Sequence, residues 1–322
     1  MDILRQSYTY GRSQLISTSK SDPYRVFLFG GNVSQSLSPL LHRILFKSVH
    51  AGWDFGTVQT TRLSEFKATL TARDTIGTSI TMPNKVTFKT GLDYLTEEAR
   101  IIGAVNTSFV RVAPDGRRVY VGTNTDCVGI RETILQRSPE AVSAAQGKAA
   151  MVIGAGGAAR SAIYSLWKWF GPSEIYIANR LESEVREICN SLIEAMPGIQ
   201  LRHVKTVQDA ERLAAPYIIV GTIPDYTPTQ LGEVLCNRIC DVILQKQEKG
   251  LLVDMCYMPS PRTKLLSTAK AQGWKTITGR EVLVRVCVAQ QILWVEEEPD
   301  EIGVKQALEA IGEKNPNQVA KL

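Results

Sequence analysis

The stretch Ala149-Ala-Met-Val-Ile-Gly-Ala-Gly-Gly-Ala-Ala-Arg-Ser-Ala-Ile-Tyr-Ser-Leu166 decides how this chain folds. Ala149 to Ile153 is a short apolar run, the pattern of a strand buried on both faces of a parallel sheet. Gly154, Gly156 and Ala159 follow as G-x-G-x-x-A, and small or apolar residues then recur at helical spacing (Ala159, Ala162, Leu166, Trp169). Gly154 permits the tight turn, Gly156 lets the backbone approach a pyrophosphate, and Ala159 lets the helix pack close to the strand. The exposed N–H groups at the helix start, at Gly157 and Ala158, then hold phosphate charge together with the helix dipole. A glycine-rich turn that binds nothing is the plain alternative, and the motif alone does not separate the two.

The context favours the dinucleotide. A second strand-like run, Glu174-Ile-Tyr-Ile-Ala178, begins 20 residues after Gly154 and ends at Asn179-Arg180. The residue ending this strand reads the adenosine ribose. A carboxylate there would accept from a 2′-hydroxyl, whereas Asn179 and Arg180 offer neutral and cationic donors suited to a 2′-phosphate. NADP is therefore favoured, while Glu182 and Glu184 stand close enough in sequence to serve the ribose instead, which keeps NAD open.

With 322 residues the chain can bury two cores. Charged residues make up 21% and the net charge is +5 without basic blocks, which suits an acidic small molecule better than a nucleic-acid groove. No apolar run reaches membrane-spanning length. Residues 1–24 read as a polar tail without a signal core, and the cytosol is the expected compartment. Six cysteines lack C-x-x-C pairing, and although Cys236 and Cys240 share a helix face, no histidine lies near them to complete a zinc site. No metal is expected. With only His42, His50 and His203 available, proton transfer falls to another residue type.

Taken in order, Tyr24 to Gly30 reads as the first strand, followed by Gly31 to Pro39 and a helix to about Val49. Ser38 before Pro39 reads as an N-cap, and Ser36 and Ser38 equally offer hydroxyls to a carboxylate. Gly77 to Lys85 is a strand ending in a turn at Pro83, where Lys85 alone reads as a solvated turn residue. Gly103 to Thr107 enters a strand, and Pro114-Asp-Gly116 joins it to the next as a hairpin. That strand ends at Thr123-Asn-Thr-Asp126, where Asp126 reads as the cap of the following helix. Strands alternating with helices from Ala149 to Met255 predict a parallel sheet. Val282 to Val295 reads as an apolar helix with a charged tail after it.

In this order the motifs resemble the shikimate/quinate dehydrogenase family, from about Arg25 to Trp294. Ser36-Leu-Ser-Pro39 is similar to its S-x-S-P loop, Gly77 to Lys85 to its N-V-T-x-P-x-K, Gly103 to Thr107 to its G-A-x-N-T, and Thr123 to Asp126 to its N-T-D. The loop at Gly154 matches its G-x-G-G-x-x-R, Asn179-Arg180 its N-R-T, and Asp254 to Pro259 its D-x-x-Y-x-P. Ser79 and Pro259-Ser-Pro-Arg-Thr263 look most like the fungal branch, including quinate enzymes and the dehydrogenase part of the AROM protein.

The resemblance implies an α/β fold: an N-terminal α/β substrate domain (25–125, joined by a returning C-terminal helix, 282–322) and a Rossmann-type, doubly wound dinucleotide domain (126–281). It implies reversible hydride transfer between NADP or NAD and the ring hydroxyl of a cyclic polyol carboxylate, with no nucleic-acid or membrane partner, in a monomer or homodimer. Lys85 would move the hydroxyl proton with Asp126 beside it, which makes physical sense where no histidine serves. Ser36 and Ser38 would hold the carboxylate, Thr81, Asn106 and Asp126 the ring hydroxyls, and Tyr257 would line the pocket. The chain departs from the family at Leu181, which replaces the threonine of N-R-T, and at Val286, which aligns with a substrate-binding glutamine. Losing that hydrogen bond would cost about 1–3 kcal/mol. Val286 keeps two other readings open, a non-catalytic sensor resembling fungal quinate repressors and a secondary-metabolism enzyme using a modified ring acid.

Overall fold

The computed structural model describes residues 2–15 and 22–312. The chain divides into two compact units, Met1–Thr125 with Leu283–Leu322, and Asp126–Val282.

The first unit is built on a six-stranded sheet. Its strands are β1 (Arg25–Gly30), β2 (Asp54–Gln59), β3 (Thr75–Ile80), β4 (Tyr94–Leu95), β5 (Thr107–Val112) and β6 (Arg118–Thr123), in the order β2-β1-β3-β5-β6-β4. β1 pairs in parallel with β2 and β3, whereas β5 runs antiparallel to both β3 and β6. The carboxyl ends of β1, β3 and β6 and the amino end of β5 therefore share one edge. Both faces are buried, which is why β1 (RVFLFG) reads as a continuous apolar run. Val26 and Leu28 join a cluster with Phe46, Trp53, Phe55 and Trp294, and Phe27 and Phe29 join another with Phe66 and Phe88. This is the two-residue period of a strand expressed as two cores.

Helices α1 (Asp2–Ser7), α2 (Ser38–Ser48), α3 (Leu63–Leu70) and α4 (Glu97–Ile102) belong to this unit. The second unit contributes α5 (Asp126–Arg137), α6 (Ala141–Ala145), α7 (Gly157–Phe170), α8 (Glu182–Ala195), α9 (Val207–Arg212), α10 (Leu231–Gln245) and α11 (Lys264–Ala271). α12 (Gly279–Val295) carries the chain back into the first unit, and α13 (Glu301–Gly312) follows. A Cβ on Gly77 would collide with the Trp294 indole and the Ser108 carbonyl, so glycine lets α12 lie directly on β3. The indole Nε1–H donates to that carbonyl at 2.8 Å.

The second sheet comprises β7 (Ala150–Ile153), β8 (Ile175–Ala178), β9 (Leu201–His203), β10 (Ile218–Gly221), β11 (Leu251–Asp254) and β12 (Lys275–Ile277). All five pairings are parallel, and the order β9-β8-β7-β10-β11-β12 is the 3-2-1-4-5-6 arrangement of a dinucleotide-binding sheet. The strand order reverses between β7 and β10, and ligands of open α/β sheets bind outside the carboxyl ends at such a point. Gly154 and Thr222 stand there.

Four expectations need correction. The polar tail is structured over residues 2–15: α1 is followed by a 3-10 turn at Tyr8–Tyr10, and Arg12 bridges Val112. Its apolar residues Ile3, Tyr10 and Leu15 pack on the first core; residues 16–21 lie outside those described. The charged tail contains α13, whose Gly303 approaches Ser48 of α2; residues 313–322 are outside the description. Ser38 is not the cap of α2 but its first residue, after Leu37, and Ser36 Oγ accepts from the Ser38 N–H at 3.2 Å. Likewise Asp126 is the first residue inside α5.

Candidate active site

The shared edge of the first sheet gathers most of the candidate side chains of that unit. Gly30 ends β1 and leads to Ser36, half-buried, and Ser38, buried. Ile80 ends β3 and leads to half-buried Thr81 and to a turn ending with half-buried Lys85. The turn is pinned: Thr81 N–H donates to the Phe29 carbonyl (2.8 Å), Asn84 Nδ2 to Thr60 O (2.8 Å), and the Lys85 carbonyl accepts from Val105 N–H (2.8 Å). Lys85 thus projects from a fixed backbone. Asn106 precedes β5 and is buried. Its Oδ1 accepts from Thr107 Oγ1 (2.8 Å), Thr125 N–H (2.7 Å) and Thr125 Oγ1 (3.1 Å), which fixes the amide orientation and ties the strand ends together. Asp126, buried, is the next residue in the chain.

Behind these groups lies a network that sequence reading missed. Gln290 of α12, one helical turn after buried Val286, donates from Nε2 to Ser79 Oγ (3.1 Å) and Thr107 Oγ1 (3.0 Å). With both amide hydrogens used, its Oε1 accepts from His42 Nε2 at 3.0 Å. That assigns His42 the neutral Nε2–H tautomer, and its Nδ1 has no hydrogen-bond partner. The ring is stacked on Phe55 at 4.5 Å. Burial drives its pKa down to about 3, against a smaller upward pull from Gln290. His42 therefore moves no proton near neutrality. It holds Gln290, which holds Thr107 and through it Asn106. The only trace in the sequence is a polar pair, Gln290-Gln291, inside an apolar helix.

This burial has a measurable consequence. Between about pH 6.5 and 3 the unfolded chain carries His42 protonated and the folded chain does not, so stability is intact above that range and falls as pH drops through it. In His42→Asn the slope of unfolding free energy between pH 4 and 6 is expected to be shallower by about 1.4 kcal/mol per pH unit, one proton's worth. Denaturant titrations of both proteins across that range check it, and parallel slopes would refute the neutral buried ring. Asp254, whose pKa burial raises to about 6, acts in the opposite sense but equally in both proteins.

In the second unit, Gly154 follows β7 at φ 115°, and a Cβ there would strike Thr222 Oγ1, whose hydroxyl donates to the Ile153 carbonyl at 2.7 Å. Gly156 is different: a Cβ there would meet nothing within 4 Å. Helix α7 starts immediately after it with no side-chain cap, so the first-turn N–H groups, including Gly157 and Ala158, face that open space. This cradle fits a pyrophosphate. Arg160 is drawn back onto α8 by Ser191 (2.6 Å) and Glu187 (3.5 Å).

At the end of β8, Asn179 Nδ2 donates to Glu184 Oε2 (2.7 Å) and Leu181 O (3.0 Å), and Arg180 pairs with Glu233 of α10 at 2.9 Å. Below β11, Asp254 accepts from Thr263 Oγ1 (2.6 Å) and Cys256 N–H (3.1 Å) and braces the loop that carries half-buried Tyr257. Among the described residues no three His, Cys, Asp or Glu side chains cluster as metal ligands, and Cys236 and Cys240 sit buried as neighbours on α10.

The shikimate dehydrogenase substrate binding domain matches residues 28–108, the part that contains the shared edge up to Asn106. Quinate dehydrogenase of Emericella nidulans is 38% identical over 284 residues, 83% of this chain and 86% of the relative. The chain belongs to the shikimate/quinate dehydrogenase family. The pentafunctional AROM polypeptide of Schizosaccharomyces japonicus is 31% identical over 84% of this chain, which spans 17% of that larger protein. A crystal structure of shikimate dehydrogenase in complex with NADP+ superposes with a TM-score of 0.73 at 25% identity, covering 91% of this chain and 96% of that one. The doubly wound α/β expectation stands. No helix among the described residues is long and apolar enough to cross a membrane.

Proposed function

We propose that this protein is an NAD(P)-dependent dehydrogenase that interconverts a secondary hydroxyl and a ketone on a cyclic polyol carboxylate of the shikimate/quinate type. The observation that carries this reading is the gathering of serine hydroxyls, the Asn106 amide and the Lys85 side chain at one edge of a single sheet. Ser36 and Ser38 hold the ring carboxylate, and Thr81, Asn106 and Asp126 hold ring hydroxyls. Lys85 takes the hydroxyl proton in the oxidising direction and returns it to the carbonyl oxygen in the reducing one, and Asp126 steadies the ammonium form.

Gly154, Gly156, Gly157 and Ala158 hold the cofactor pyrophosphate, and Asn179 and Arg180 face the adenosine ribose. When bound, the nicotinamide accepts or supplies a hydride at C4. The NADP+ complex of a relative supports NADP, and the retained carboxylates beside Asn179 and Arg180 keep NAD within the reading. Lys85 and Asp126 are both present, which weighs against the sensor. Free cysteines, several of them buried, suit a reducing compartment such as the cytosol.

Absorbance at the reduced-nicotinamide band, with NADP and NAD each against shikimate and quinate, tests the reading. One active pair identifies substrate and cofactor together. Silence from all four pairs, with a ring acid still raising the melting temperature, would replace the enzyme by a sensor.

A further inference from the structure

The cations beside the proposed ribose site are already matched by carboxylates of the chain itself. Arg180, two residues past the end of β8 and 41% exposed, gives its Nη1 to Glu233 Oε1 at 2.9 Å. Lys205, just past the carboxyl end of neighbouring β9, pairs with Glu182 at 2.6 Å. Asn179 spends its amide on Glu184. Of these contacts only the Arg180 pair is built into the fold.

Four hydrogen bonds immobilise the Glu233 carboxylate. Oε2 accepts from the Thr229 (3.0 Å) and Gln230 (3.2 Å) N–H groups at the start of α10, and Oε1 accepts from Tyr226 Oη (3.0 Å) and from Arg180. The two backbone N–H groups are the main reason its pKa falls to about 2, so it is charged at every working pH. Gly232 lets the first turn of α10 rest on the Arg180 backbone, since a Cβ there would collide with the Arg180 carbonyl. The side chain of Glu233 is 9% exposed. A flexible surface ion pair would open for a phosphate at little cost, but this carboxylate cannot move away.

We infer that Glu233 is a specificity-determining residue, acting through Arg180: it offsets the guanidinium charge at the ribose end of the cofactor site, so that the chain discriminates only weakly between a 2′-phosphate and a free 2′-hydroxyl. The inference rests on the reading that Arg180 faces the adenosine ribose. A dianionic phosphate brought to Arg180 is attracted by the guanidinium and repelled by the fixed carboxylate behind it. A neutral 2′-hydroxyl feels little of either.

The test uses adenosine 2′,5′-bisphosphate and 5′-AMP, which differ in the 2′-phosphate alone, titrated into the full chain by calorimetry. In the wild type the bisphosphate is expected to bind less than about tenfold more tightly than 5′-AMP. Glu233→Gln keeps an oxygen for the two backbone N–H groups but removes the charge, and should raise that ratio by about five- to tenfold. The ratio cancels any general loosening of the fold. Arg180→Gln, which leaves the fixed carboxylate unopposed, should by the same reasoning lower the ratio below its wild-type value. A ratio that stays constant or falls in Glu233→Gln, with both nucleotides still binding, overturns the role of Glu233 and leaves the cofactor site standing. If neither nucleotide binds the wild type, the cofactor assignment itself fails and this inference with it.

Discussion

Lys85→Ala is expected to lower kcat by about 10²–10⁴-fold, the range of a lost general acid–base group, in a variant that still folds. The separation follows from how the residue is held. The backbone of its turn is fixed by the Thr81, Asn84 and Lys85 main-chain and amide bonds, none of which uses the lysine side chain. Truncation leaves these backbone bonds in place, so the variant is expected to keep a cooperative melt. No histidine can take over nearby, since His42 is locked neutral behind Gln290. Steady-state rates and a thermal melt on the same preparation check both halves. Near-normal kcat in a well-folded variant would remove Lys85 from the chemistry. A melting temperature that collapsed with the rate would make it a structural residue instead.

The largest stability effect is expected at Arg111, which is 1% exposed near the carboxyl end of β5. Its guanidinium reaches Glu296 (3.2 Å), Ser7 Oγ (2.5 Å) and the Leu293 carbonyl (3.3 Å), and lies over the rings of Tyr8 and Phe109. One cation thus caps the carboxyl end of α12 and anchors the N-terminal helix. Glu296 also accepts from Tyr8 Oη at 2.8 Å, and burial with that carboxylate pushes the phenol up to about 12.

Arg111→Leu strands the Glu296 carboxylate at 12% exposure and should cost about 3–5 kcal/mol in denaturant titrations. Adding Glu296→Leu removes the stranded charge as well, and the double variant is expected to recover a large part of the loss. A double variant as unstable as the single one would mean that packing and the lost helix cap, not the unpaired charge, set the cost.

What could be read from sequence depended on how local its cause is. The β7–Gly154–α7 unit was legible because strand burial, the turn and helix periodicity are all set within Ala149 to Leu166. Lys85 and Asp126 were named through the resemblance: each alone reads as a turn lysine or a helix-start aspartate. Ser38 illustrates the limit of capping rules. Helix α2 begins one residue earlier than expected because Ser36 serves the Ser38 N–H, and a shift of one residue is decided by loop geometry that spacing does not carry.

By itself, then, the sequence determined the doubly wound sheet, the phosphate turn and the family motifs in their order, since each is written in contiguous residues. Only the tertiary structure decided which residues support them. Gln290 meets Ser79 across 211 positions, Arg111 meets Leu293 across 182, and Arg180 meets Glu233 across 53. A buried glutamine, an apolar-strand arginine and a helix-start glutamate each read as ordinary until the fold brings their partners within hydrogen-bonding distance. A buried polar group must find a partner, but which one it finds is set by the packing of strands and helices, which no local pattern records.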